Sequence, residues 1–287
     1  MTATRRLTAG RPLMAASVKP RIKTELNVHR FVIPYRLYGE GIHSLVFING
    51  IQQSMAMWHS FVRRFCRDYR IVIFDLPNQG KARVVSGPLD MSLVEQVDVL
   101  DAVIAAVGID DHLTICSASW GGVIAASYAV QHPDRVRRLI MASMGTKPND
   151  KLTELITKGT KTSLNPAEVA EALIQSFGQD LPPAIKTKIL TQFRQMSGED
   201  LQAFIRHGRW VLSVHDLANA VDVSKIQCKT ILLHGEKDTI TDADDVRFLA
   251  SQIPRSEMKV IKGVGHFLHL ENDKLLEVYD EILASPY

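Results

Sequence analysis

Short apolar runs, each closed by turn-forming residues, recur along the chain. Residues 26–38 and 44–49 are rich in strand formers, and Leu45-Val46-Phe47-Ile48 stops at Asn49-Gly50. Arg70-Ile71-Val72-Ile73-Phe74 stops at Asp75-Leu76-Pro77, and Leu113-Thr114-Ile115-Cys116 runs into Ser117-Ala118-Ser119-Trp120-Gly121-Gly122. Further runs cover 136–141, 230–235 and 258–261. Runs that are apolar throughout predict strands buried on both faces, as in the centre of a parallel sheet.

Between the runs the period changes. Over 91–107 apolar residues fall at 93, 94, 97, 100, 103, 104 and 107, which predicts a helix with Gly108 as its C-terminal cap. Residues 123–130 predict an Ala-rich helix suited to close packing on a sheet, and 272–283 an amphipathic one. Strand–helix alternation implies an α/β fold with a mostly parallel, doubly wound sheet. The stretch 147–225 has no clear buried strand; Asn165-Pro166 marks a helix start and Leu181-Pro182-Pro183 a break. It is expected to be a helical cap inserted into a core of 25–146 and 226–287, with 1–24 as a flexible tail.

The 287 residues suffice for one such α/β unit with an insertion, and a net charge of +3 leaves no electrostatic footprint for nucleic acid. Cys66, Cys116 and Cys228 form no C-x-x-C pair, so neither a zinc site nor a disulfide framework is expected, and a reducing, cytoplasmic setting is the simpler reading. No apolar run reaches the ~18–20 residues of a membrane span, and no integral membrane association is expected. No metal or cofactor is called for.

Three positions carry candidate chemistry. Ser119 stands where a buried strand turns into a helix, with small residues two positions to either side. That setting lets a sharp turn expose a nucleophile; Ser117 is the rival, though it lies early for the turn. Asp238 follows the run 230–235, at the strand end where an open α/β sheet places its ligands, with Glu236 as the alternative acid. His266 follows the last run behind Gly263 and Gly265, a setting that neighbouring His269 lacks. In these roles Ser119 is the nucleophile, His266 the base and Asp238 the carboxylate that orients the base. The amides of Trp120 and Ile51 are the candidate oxyanion donors. Asn49, Gly50, Met55, Trp58, Phe204 and Trp210 are candidates for binding substrate.

The order Ser, Asp, His along the chain is the one expected of an α/β hydrolase, and the motifs resemble that superfamily. Phe74-Asp75-Leu76-Pro77-x-x-Gly80-x-x-Arg83, Ser117-Ala118-Ser119-Trp120-Gly121-Gly122, Gly235-x-x-Asp238-x-x-Thr241 and Gly265-His266-Phe267-Leu268-x-Leu270-Glu271 are similar to a small bacterial family. That family includes the 3-(3-hydroxyalkanoyloxy)alkanoate synthase of rhamnolipid biosynthesis and the 3-hydroxyacyl-carrier-protein:CoA transacylase of polyester synthesis. The resemblance spans roughly 43–275. It implies a serine acyltransferase acting on (R)-3-hydroxyacyl thioesters of acyl carrier protein or CoA, with Ser119, Asp238 and His266 as its triad. Lys81, Arg83, Lys147 and Lys151 are then candidates for meeting an acidic carrier protein. The chain departs from the family at Asn78-Gln79, Lys81-Ala82 and the Met-rich loop 54–58. Two other readings stand beside it: an esterase, thioesterase or lactonase with water as acceptor, and a non-catalytic binding protein.

Overall fold

A computed structural model describes residues 18–109, 113–161, 165–214 and 217–286. In chain order the strands are β1 (Ile22–Val28), β2 (Phe31–Tyr38), β3 (Ser44–Ile48), β4 (Arg70–Phe74), β5 (Arg83–Val84), β6 (Leu113–Ala118), β7 (Val136–Ala142), β8 (Lys229–Gly235) and β9 (Ser256–Ile261). The helices are α1 (His59–Phe65), α2 (Leu93–Ala106), α3 (Gly121–Gln131), α4 (Asp150–Lys161), α5 (Pro166–Phe177), α6 (Pro183–Arg194), α7 (Gly198–Val214), α8 (Ala243–Gln252), α9 (Leu268–Glu271) and α10 (Lys274–Ala284).

The strands form one sheet in the order β1-β2-β4-β3-β6-β7-β8-β9, with β5 on β2. From β4 to β9 every pairing is parallel, while β2 is antiparallel to β1, β4 and β5. The fold is α/β, as the apolar runs predicted. The chain winds outward from β3 to β4, then returns to lay β6 on the other side of β3. At that reversal the loops after β3 and β6 diverge to opposite faces and leave a crevice at the strand ends.

The strand-forming segment 26–38 lies in a hairpin: His29, at φ +51°, turns the chain between β1 and β2. One expectation is corrected. The tail expected over 1–24 loses residues 22–24 to β1, where Ile22 pairs with Leu37 and packs against the core alongside Leu26. Residues 1–17 lie outside the described residues.

Apolar side chains fill both faces of the sheet. One face holds Val97, Leu100, Val103 and Ile104 of α2 and the alanines of α3. The other holds Phe61 and Phe65 of α1 and Tyr279 and Ile282 of α10. Helices α4 to α7 follow β7 and precede β8, and they carry a small core of their own, with Val169, Ala170, Phe193 and Leu201. Helix α5 starts at Asn165, whose side chain accepts from the Glu168 amide while Glu168 accepts from the Asn165 amide.

His269 is a core residue. It is hydrogen-bonded to the Tyr279 hydroxyl at 3.0 Å and packed on Trp58 and Phe61, and burial pushes its pKa down to about 3. In the unfolded chain it takes a proton near pH 6.5 that the folded state refuses. Its contribution is therefore complete above pH 6.5 and is lost as pH falls towards 3, at up to about 1.4 kcal/mol per pH unit. A series of thermal melts from pH 7 to 4 should show Tm falling, and His269→Gln should flatten that slope.

Candidate active site

Ser119 sits between β6 and α3 with φ +48°, a left-handed conformation held by its N–H donating to the Ala142 carbonyl at 2.8 Å. The strained turn lifts its Oγ out of the sheet plane. Gly121 makes the turn possible. A Cβ there would lie 2.8 Å from the carbonyl oxygens of both Ile48 and Asn49, so any side chain would push α3 away from β3. Ser117, the rival candidate, is fully buried within β6, with its hydroxyl directed at the Ile140 carbonyl.

His266 Nε2 lies 3.2 Å from Ser119 Oγ, and its Nδ1 lies 2.9 Å from Asp238 Oδ2. Asp238 comes from the loop after β8, His266 from the loop after β9. Asp238 Oδ1 accepts the amides of Ile240 and Thr241, and Oδ2 also accepts the Thr241 hydroxyl at 2.7 Å. Burial opposes ionisation of Asp238. The electrostatic attraction to the His266 side and the hydrogen bonds from His266, Thr241 and Ile240 outweigh it and hold the carboxyl well below the usual carboxylate range. An ionised Asp238 requires the proton on Nδ1, which leaves the Nε2 lone pair facing the serine hydroxyl. Glu236, the alternative acid, is tied instead to the Gly263 amide at 2.9 Å.

The amides expected at the oxyanion belong to residues on the wall of the same cavity, Ile51 and Trp120. Trp120 precedes α3, so its N–H has no carbonyl four residues back within the helix. The loop after β3 is braced from inside: the Gly50 amide donates to Gln53 Oε1 at 2.7 Å and Asn49 Nδ2 to the Gln53 carbonyl at 3.1 Å. Asn49 and Gly50 therefore shape this loop and do not line the cavity, contrary to expectation. Met55 and Trp58 are likewise corrected. Trp58 is 0% exposed and packs on Phe47, Phe61 and His269, while the Met55 amide donates to buried Asp75. Both belong to a 3-10 turn, Met55–Trp58, and are buried in the core that α1 and α10 form on one face of the sheet.

A cavity of about 570 Å³ opens between the strand ends and helices α4–α7. Ser119 and His266 stand at its floor; Leu152, Leu155, Ile156, Leu173, Ile189 and Phe204 give it an apolar wall. Trp210 lines it as well. Its ring meets that of Trp120 edge-on at 5.1 Å, and His207 meets Trp120 at 4.6 Å. The Trp120 indole N–H donates to Gln96 Oε1 of α2 at 2.8 Å, so the residue after Ser119 is gripped from α2 and from α7. Burial pushes the pKa of His207 down to about 4, so it is neutral at neutral pH. Gln192 of α6 donates to the Gln52 carbonyl at 2.9 Å, which ties the helical segment to the loop carrying Ile51. Of the cations expected to meet a carrier protein, Lys147 lines the cavity, whereas Arg83 is paired with Glu25. Among the described residues no group of His, Cys, Asp and Glu side chains gathers as metal ligands, and no helix is long and apolar enough to cross a membrane.

Three supporting residues escaped the sequence reading. Thr241 braces Asp238, and Ser143 Oγ donates to the His266 carbonyl at 2.6 Å. Glu271 accepts the amides of both Gly265 and Phe267, the two neighbours of His266. The spacing Asp238-x-x-Thr241 and the acid five residues after His266 were the available signals, but neither says where a side chain turns. Glu271→Ala would strand two amides, at ~1–3 kcal/mol each, and loosen the histidine loop. Steady-state kinetics should show kcat down by about 10- to 100-fold with KM little changed, and Glu271→Gln, which keeps one acceptor, should fall between.

The model of the alpha/beta hydrolase family matches residues 45–278. A protein of Pseudomonas putida called (R)-3-hydroxydecanoyl-ACP:CoA transacylase is 25% identical over 263 residues, covering 85% of this chain and 84% of that protein. A protein of the same name from Ectopseudomonas oleovorans is 25% identical over 249 residues, 82% of this chain and 80% of its own. Among solved structures, an alpha/beta hydrolase enzyme from a Medee basin deep-sea metagenome library superposes with a TM-score of 0.79 at 19% identity, covering 92% of this chain and 98% of its own. A bacterial membrane phospholipase A gives 0.75 at 24% identity, with 91% and 85% covered. At these identities the structural likenesses speak for the fold.

Proposed function

The chain belongs to the alpha/beta hydrolase family, and from that premise we propose that it is a serine acyltransferase for (R)-3-hydroxyacyl thioesters. The observation that carries this reading is the apolar, helix-covered cavity of about 570 Å³ with the Ser119–His266 pair at its floor. Such a chamber suits a fatty chain, and its walls disfavour water as the acceptor of the acyl group. The relatives named as hydroxydecanoyl transacylases support the thioester and the 3-hydroxyl.

In this mechanism His266 Nε2 takes the proton of Ser119 as Oγ attacks the thioester carbonyl. The amides of Trp120 and Ile51 hold the oxyanion. Collapse expels the carrier thiol, which leaves with the proton from His266, and an ester on Ser119 remains. His266 then takes a proton from the acceptor, a thiol of another carrier or the hydroxyl of a second 3-hydroxyacyl group. The acceptor oxygen or sulfur attacks the acyl-enzyme, and His266 returns the proton to Ser119. The products are a transferred acyl thioester or a hydroxyalkanoyloxyalkanoate.

Incubation with 3-hydroxydecanoyl thioesters of CoA and of carrier protein, followed by mass spectrometry, tests the reading. Acyl exchange between carriers or an ester-linked dimer is expected. Release of free 3-hydroxydecanoate alone would make the enzyme a hydrolase.

A further inference from the structure

At the rim of the cavity, four basic residues from three elements gather without an acid among them: Arg36 of β2, His59 and Arg63 of α1, and Lys188 of α6. His59, Arg63 and Lys188 line the cavity, whose only acidic lining residue among those described is Asp273. The remaining groups that act on His59 are all positive: besides burial, the charges of Arg36, Arg63 and Lys188 lower its pKa. None of these three forms a salt bridge among the described residues, in contrast to Arg64, next on the same helix, which is paired with Asp280. Asp75, a buried carboxylate that feels the charge of Arg36, has its oxygens occupied by the amides of Met55 and Lys81.

The hydrogen bonding leaves a donor on His59 unused. Arg36 Nη1 lies 3.3 Å from His59 Nε2, and a guanidinium can only donate. His59 Nε2 is therefore the acceptor and the ring proton sits on Nδ1, which bonds no described residue. An N–H donor, a guanidinium and an ammonium thus line one cavity, close enough for both cations to act on His59, and neither cation has a salt-bridge partner among the described residues. Like charges held together in this way repel each other, and a multivalent anion would relieve that repulsion.

We propose that His59, Arg63 and Lys188, backed by Arg36, form a subsite for the phosphate of a 4′-phosphopantetheine arm. The inference rests on the thioester reading above and extends it to how the donor is held. Coenzyme A and holo-acyl carrier protein share this phosphate, and in both a flexible pantetheine chain separates it from the thioester. With the phosphate at the rim, that chain runs inward along the cavity towards Ser119. A phosphate offers oxygens to donors arriving from several directions, which suits three groups on separate turns of α1 and α6. Lys188 belongs to the helix whose Gln192 holds the Gln52 carbonyl, so donor binding would also draw α6 onto the loop that carries Ile51.

Calorimetry with two non-reactive ligands tests this: the 3-hydroxydecanoyl thioethers of pantetheine and of 4′-phosphopantetheine. The wild-type protein should bind the phosphorylated ligand at least about tenfold more tightly. In Arg63→Gln/Lys188→Gln the two ligands should bind about equally, with the affinity for the pantetheine ligand showing that the variant is folded. Equal binding of both ligands to the wild type, or an undiminished preference in the variant, overturns the subsite and leaves the acyltransferase reading standing. If neither ligand binds the wild type, the thioester reading falls and the subsite with it. The corresponding thioethers of CoA and of holo-carrier protein identify the source: tighter binding of either one, lost in the variant, supports the subsite, and loss of neither overturns it.

Discussion

Ser119→Ala should reduce turnover of a 3-hydroxyacyl thioester by about 10⁴- to 10⁶-fold, with the thermal midpoint little changed. The size follows from what the hydroxyl does. Its Oγ is the hydroxyl at hydrogen-bond distance from His266 Nε2, 3.2 Å away, and in the proposed mechanism the covalent intermediate forms on it. Without it the enzyme retains only binding and oxyanion stabilisation, and water must attack unaided. Stability is spared because the substitution removes one polar atom at the cavity floor while keeping the Cβ and the Ala142 hydrogen bond of the strained turn. Rates, melts and labelling by a fluorophosphonate check it together. An alanine variant with a tenth of the wild-type rate would take Ser119 out of the mechanism.

Asp238→Asn should cost about 10⁴-fold in kcat, although it is nearly isosteric. Oδ1 accepts two backbone amides, from Ile240 and Thr241, and only an oxygen can sit there. The amide group of asparagine is thereby forced into the Oδ2 position, 2.9 Å from His266 Nδ1. Two donors cannot face each other, so His266 moves its proton to Nε2 and turns a donor towards Ser119. The base is then in the wrong tautomer at the moment it is needed. The measurement is kcat at pH 7 and at higher pH, with His266 ring nitrogens followed by NMR. Nδ1 that stays protonated in the variant, or a loss below about tenfold, would refute the argument.

That Ser119 ends a buried strand and begins a helix was readable from the run Leu113–Cys116 and the small residues around it, because strand and turn preferences act over a few positions. The parallel sheet was readable for the same reason. The hairpin at His29 was not, since no glycine or proline marks it and a positive φ at histidine is adopted only under the demand of the pairing between β1 and β2. Met55 and Trp58 read as substrate-binding candidates because a bulky apolar side chain suits a cavity wall and a core equally. The difference lies in which way a turn lies against the sheet.

By itself, the order of residues determined an α/β sheet, a serine at a sheet-to-helix turn, and an acid and a histidine behind later strands. Apolar periodicity and turn chemistry are local and survive in one dimension. Only the folded chain decided that Glu271 clamps both neighbours of His266, that His269 is core, and that Arg36, His59, Arg63 and Lys188 meet at one rim. Each of those facts is a direction taken by a side chain towards a partner set by packing, and in the cation cluster that partner lies on another element more than 100 residues away along the chain.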